Sequence, residues 1–505
     1  MAIAFSILFW VACGQIYRPV VIPINNTPPT PGNFHSVFAL NSNGSYDPTP
    51  PNLPPTFSYG AGTAMQVDVS GDTIVGATPT SPTPQSIGLN PTHATILANN
   101  SRIFVATAGS FLPGGSDLVA AFTPVADSTV ATGFGTVATF SLPAGSLPVF
   151  VTSSAQVNQV FVANYGSNSV SVINLVTNAV TNTVSTGLHP VAMAAAITTG
   201  NTKLYVLNVG DNTINSFNAQ DMSQNTLTGF TGVTPVWAVA RADGQKVYVV
   251  TQGDGQLVTI DTATDHVTSS LPVGAGANYV YYEPNSQRLY VTNPANSNLY
   301  IFSASAGAND TPTLLQTINI AGAAVSGNYP SCVNPCPVTV AATPDGTRAY
   351  VGSYTLTTCS DPTFSTSCLV TPQATIIDAQ ANVIKTTLYP LGGTTHTSVA
   401  ESFDCMPSLP YSPAGVTVPG TSTLGLSARF RMSTAVSADS TKAYVGLCDS
   451  GSVAVINTAA DSNSSSGNNT GDTLITDLFA PFGSGFPTGT GQPPVQNIIF
   501  MMTGQ

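Results

Sequence analysis

The chain has 505 residues, of which 42% are hydrophobic and only 7% charged, with 11 Lys+Arg against 23 Asp+Glu. A phosphate backbone needs clustered cations, so nucleic acid is excluded as a partner, and the apolar content excludes a charge-rich disordered chain. Glutamate occurs only at Glu283 and Glu401, which argues against long solvent-facing helices, while 44 Gly and 39 Pro favour many turns.

In chain order, residues 2–12 (AIAFSILFWVA) form an apolar run. It is too short for a membrane-spanning helix, which takes ~20 residues, and fits a signal-peptide core. Cys13 follows at once, and Trp10-Val11-Ala12-Cys13 resembles the bacterial lipobox, with Trp10 where Leu is usual. That resemblance implies a lipidated Cys13 at the mature N-terminus, held to a membrane by more than one acyl chain. The alternative is a plain secretion signal. Residues 14–34, rich in Pro and Asn, read as an extended tether. The expected organisation is a signal peptide over 1–13, the tether over 14–34 and one repeat domain over 35–505.

The middle of the chain repeats itself. The stretches Gln159-VFVAN-164, Lys203-LYVLN-208, Lys246-VYVVT-251 and Arg288-LYVTN-293 place the aromatic anchors Phe161, Tyr205, Tyr248 and Tyr290 at 44, 43 and 42 residue intervals. This period suits four-stranded propeller blades or two-helix repeats. Val and Tyr in alternation decide for strands. Each anchor is followed by a Gly/Asn turn and a second alternating run, such as Gln256-LVTIDT-262. A third run follows, such as 265–273, and then a Gly or Pro and a fourth, such as 190–196 (PVAMAAA) or 235–240 (PVWAVA). Four short antiparallel strands per period make one blade.

Arg288-LYVTN-293, VTIDTATDHV (258–267), LPVG (271–274) and ATPDGTRAYVGS (342–353) resemble the YVTN-type β-propeller repeat family. Further anchors are read at Phe38, Phe104, Tyr350 and Tyr444. The fold expected is all-β: a single propeller of four-stranded antiparallel blades, eight in number with seven as the alternative. The apolar C-terminal run Asn497-IIFMMT-503 supplies the missing inner strand of blade one and closes the ring, leaving no exposed edge there. Insertions are expected at about 305–335, 354–373 and 392–430.

Apart from Cys13, six cysteines remain: Cys332, Cys336, Cys359, Cys368, Cys405 and Cys448. In an exported chain an even number reads as disulfides. The pairing expected is Cys332–Cys336, Cys359–Cys368 and Cys405–Cys448, among fifteen possible ones.

The family resemblance places ligands on the face made by loops entering the inner strands and loops following the anchor strands. His93, His189, Trp237, Tyr279 and Arg431 are the candidates from the first set, and Tyr165, Asp211 and Asp254 from the second. His93 and His189 precede inner strands, where two imidazoles would serve as acid, base or metal ligands; the plainer reading is scattered polar residues at strand starts. Asp211 and Asp254 read as turn formers, and Glu283, at a turn on the opposite face, as structural. No metal-binding His motif, phosphate loop or nucleophile elbow is present, and neither metal nor cofactor is expected. The sequence thus points to a non-catalytic cell-envelope binding or scaffold protein. It would be an exported monomer, lipid-anchored or secreted, presenting a propeller face to a protein or glycan partner. The alternative is a propeller enzyme of lactonase, lyase or quinoprotein-dehydrogenase-like type.

Overall fold

A computed structural model describes residues 36–42, 44–47, 56–59, 62–75, 77–78, 81–82, 85–111, 114–124, 138–198, 200–305, 311–320, 335–357, 369–391, 399–400, 416–417, 425–426, 432–448, 451–458, 471–479 and 497–503. They form an eight-bladed β-propeller with no α-helix among them. The inner strands of blades two to eight are Pro91–Ile96, Pro148–Ser154, Pro190–Thr198, Pro235–Ala240, Tyr279–Glu283, Cys336–Ala342 and Met432–Val436. Blade one takes its inner strand from Asn497–Thr503, which pairs antiparallel with Ser36–Ser42. The C-terminal closure expected from the sequence is what the chain does.

All eight anchors lie in second strands, and each is no more than 1% exposed. Blades pack face to face, so inner and second strands are buried on both sides, as in Lys246–Thr251 and Cys336–Ala342. The outermost strands are wet: Ala179–Ser185 is almost wholly exposed, and His266–Pro272 alternates. The interruption expected at 354–373 is shorter than the sequence suggested. Arg348–Thr357 and Leu369–Asp378 pair along their whole length, because Thr, Val and Tyr continue the alternation past the usual end of the blade. The signal segment, tether and Cys13 lie outside the described residues, as do Cys332, Cys359, Cys368, Cys405 and Glu401. Cys336 and Cys448 are fully buried and in the disulfide form.

A second repeating feature joins the blades. The residue two before the anchor is a cation in six of the eight blades, and in five of them it reaches the turn between the third and fourth strands of the next blade. Arg102 donates to Asn178 Oδ1 at 2.9 Å and Arg288 to Asn382 Oδ1 at 2.8 Å. Lys203 meets Asp265 at 2.5 Å, Arg348 meets Asp472 at 3.0 Å and Lys442 meets Asp72 at 3.4 Å. Every acceptor has φ between 49° and 57°, a region that Asn and Asp tolerate better than other side chains. One residue therefore makes the turn and receives the neighbour's cation. Blade three carries Gln159 instead of a cation, and the matching turn of blade four carries Met222 at φ 58°. Tyr205 and Tyr350 add their phenols, donating to Asp265 at 2.6 Å and Asp472 at 2.8 Å. Burial, and then these carboxylates, push both phenols far above the usual tyrosine range.

Candidate functional site: the channel layer

The inner strands line the central channel, and one register position on each sends a side chain there. It stands opposite the residue two after the anchor. Going round the ring from blade one, the pairs are Leu40 with Phe500, Ala106 with His93, Ala163 with Phe150 and Leu207 with Ala192. They continue with Val250 and Trp237, Thr292 and Tyr279, Gly352 and Thr339, and Gly446 and Ser433. In blades one to five and seven the register shifts at this point. Such bulges re-aim a side chain. Four of them follow a Pro-Val pair: Pro148-Val149, Pro190-Val191, Pro235-Val236 and Pro337-Val338. The proline is tolerated because an inner strand's free edge faces the channel.

The layer is lopsided. Five of its eight members carry aromatic rings, and they touch. His93 stacks on Phe150 with centroids 3.9 Å apart and lies 4.4 Å from Phe500. Phe150 meets Trp237 edge-on at 5.3 Å, reaching past the small Ala192, and Trp237 lies 5.0 Å from Tyr279. Blades seven and eight contribute only Thr339 and Ser433. Behind them stand Gly352 and Gly446, where other blades have Ala, Leu, Val or Thr. A Cβ on Gly352 would lie 2.7 Å from Thr339 Cγ2 and 3.0 Å from Thr434 Oγ1, so only glycine leaves those side chains in place. The result is a recess of about 410 Å³, its open mouth included. His93, Trp237, Tyr279 and Phe500 form one wall, and Thr339, Ser433 and Thr434 face them, with Met432, Ile499 and Met501 between.

The structure thus brings three sequence candidates together: His93, Trp237 and Tyr279. His93 lies within its inner strand, and its Nδ1 is held by the Val151 backbone, with the carbonyl oxygen at 3.1 Å. His189 is placed elsewhere. It sits before its inner strand at φ 57°, stacks on Tyr165 at 4.4 Å and sets Nδ1 3.2 Å from the Tyr165 carbonyl. It does not line the recess, so the paired-imidazole arrangement is not formed: the layer position of that blade is Ala192, three residues on. Arg431 lies outside the described residues. Asp211 accepts from the Leu188 N–H at 2.9 Å and Asp254 from the Val233 N–H at 3.2 Å. Both latch the chain entering their own blade. Glu283 is 1% exposed and accepts the N–H groups of Asn285 and Ser286, a turn as expected.

Sequence reasoning missed Phe150, Phe500, Thr339, Ser433 and Thr434. The residue after Pro-Val would have pointed to Phe150 and Thr339. Among the described residues no group of three or more His, Cys, Asp or Glu is placed to hold a metal.

No family model matches the sequence, and no curated protein does. Solved structures match over most of the chain. AztD from Citrobacter koseri superposes with a TM-score of 0.50 at 11% identity, over 94% of this chain and 99% of that one. The periplasmic gluconolactonase PpgL of Pseudomonas aeruginosa gives 0.45 at 12%, over 88% and 96%. Hydrazine synthase of Kuenenia stuttgartiensis gives 0.44 at 18%, over 66% and 87%. At these identities the likeness is one of fold, and propellers host unrelated functions.

Proposed function

We propose that this protein is a non-catalytic binding propeller of the cell envelope, exported through residues 1–13 and lipid-anchored at Cys13, with the channel layer as its binding site. It would belong with the YVTN-type repeats that its blades resemble. The observation that carries the reading is the lining of the recess: aromatic rings on one side, hydroxyls on the other and, among the described residues, no carboxylate. An acid/base enzyme needs paired groups of different proton affinity. Here the imidazole of His93 stands with its Nδ1 already on a backbone carbonyl. Rings with a few convergent polar groups suit binding.

Two experiments test this. Palmitate labelling in cells is expected to mark the wild type and not Cys13→Ser; labelling of neither removes the anchor. A panel of lactones and esters followed by NMR is expected to show no turnover. Turnover that disappears in His93→Ala would replace this reading with the enzymatic one.

A further inference from the structure

Thr434 lines the recess and is 7% exposed, and its Oγ1 has no hydrogen-bond partner. An unmade hydrogen bond on a buried hydroxyl costs about 1–3 kcal/mol. Its neighbours are half-used. Thr339 Oγ1 accepts the Thr434 N–H at 3.3 Å, and Ser433 Oγ accepts the Met501 N–H at 3.0 Å. Neither donates its own proton to another described residue. Three hydroxyls therefore face an aromatic wall with three O–H donors unspent, and Thr434 can accept as well.

Resting on the binding reading above, we infer that the recess takes one uncharged pyranose ring, with its C–H face against Tyr279, Trp237 and Phe500 and its hydroxyl edge on Thr434, Ser433 and Thr339. The negative face of an aromatic ring attracts the slightly positive C–H groups of a sugar face. Sugar hydroxyls both donate and accept, matching groups that need both, whereas a purely accepting planar ketone would leave the Thr434 lone pairs unmet. Among the described residues no Lys, Arg, Asp or Glu lines the recess, so a phosphorylated or acidic sugar would bury its charge there without a counter-ion from them, at a cost of several kcal/mol.

Trp237 supplies the readout. The chain has two tryptophans, Trp10 and Trp237, so in the full-length Trp10→Phe protein all tryptophan emission comes from the channel. Methyl glucoside, galactoside, mannoside and N-acetylglucosaminide are titrated, with glucose 6-phosphate and gluconate as charged controls and menadione as a planar ketone. At least one neutral pyranoside is expected to shift the emission saturably, at least tenfold more tightly than the charged controls. Thr434→Val is expected to weaken that binding about tenfold while leaving the melting temperature unchanged or higher. Ser433→Ala, a second route that retains the fold, is expected to weaken it less. The inference is overturned if no pyranoside shifts the emission, if a charged control or menadione binds as well or better, or if Thr434→Val binds like the parent. Binding of menadione alone would sink the sugar and leave the channel as a binding site. Turnover of any probe would instead sink the non-catalytic reading.

Discussion

The clamps between blades and the layer in the channel belong to the same repeat, and they behave in opposite ways. At the clamp position five of the eight blades agree: a cation two residues before the anchor meets a left-handed Asn or Asp of the next blade. Ser36 and Gln159 stand in two of the others, with Met222 opposite Gln159, and Lys246 pairs within its own blade. At the channel position, opposite the residue two after the anchor, the blades disagree: Phe, His, Phe, Ala, Trp, Tyr, Thr and Ser follow one another round the ring. A contact that joins most blades is repeated. A surface that faces one object needs a different group at each angle. The repeat holds the ring together, and its breakdown marks the site.

The largest effect is expected from breaking a clamp. Asp472 is 3% exposed and receives Arg348, Lys385 and the Tyr350 hydroxyl. Asp472→Ala leaves the largely buried Arg348 guanidinium with only the distant Asp378 carboxylate, 3.9 Å away, and should cost about 3–5 kcal/mol in urea denaturation. Asp472→Asn keeps the left-handed turn and one acceptor, as Asn178 and Asn382 do, and should cost about half of that. Equal losses in the two variants would show that charge, not turn geometry, carries the clamp. A smaller effect is expected from Tyr205→Phe, which removes one hydrogen bond from an Asp265 that keeps Lys203 and Ser216: about 1–2 kcal/mol.

Next comes pH. Lys246 occupies a clamp position but pairs with Asp261 of its own blade at 2.7 Å. Burial raises the Asp261 pKa, but hydrogen bonds from Lys246 and Thr264 outweigh it and hold the carboxyl at about 2 against an ordinary 3.8. A depressed carboxyl stabilises the fold above its unfolded value, and the contribution is lost as protonation proceeds. The melting temperature difference between wild type and Asp261→Asn should therefore be constant above about pH 4 and close as pH falls toward 2. A gap that persists at pH 2 would show that the pair contributes by packing alone. In the layer itself the two variants should part: Ser433→Ala leaves the buried Met501 N–H without its acceptor and should cost about 1–3 kcal/mol, whereas Thr434→Val removes a hydroxyl that has no partner and should leave the urea midpoint unchanged or higher.

The sequence carried the fold well because the anchors, the turns and the period are local signals. The C-terminal closure was legible from an apolar run, Asn497–Thr503, with no partner nearby in sequence. The clamp was half visible. Lys203, Lys246, Arg288, Arg348 and Lys442 stand out before their anchors, but their partners lie 15–370 residues away and, except for Lys246, are fixed only by the packing of blades. The site was legible by residue type rather than by register. His93, Trp237 and Tyr279 were chosen as uncommon side chains near inner strands, and that criterion also admitted His189. It overlooked Phe150, which a bulge turns toward the channel, and Thr434, a common residue made unusual only by the glycine across from it.

The central claim is most directly tested by measuring two variants side by side, Asp265→Asn in a clamp and Thr434→Val in the channel, each for its urea midpoint and for its Trp237 titration with the tightest pyranoside. The account predicts a crossed result: Asp265→Asn lowers the midpoint and keeps the titration, and Thr434→Val keeps the midpoint and flattens the titration. If both variants move the same readout, fold and site are not divided between the two positions, and the account is wrong.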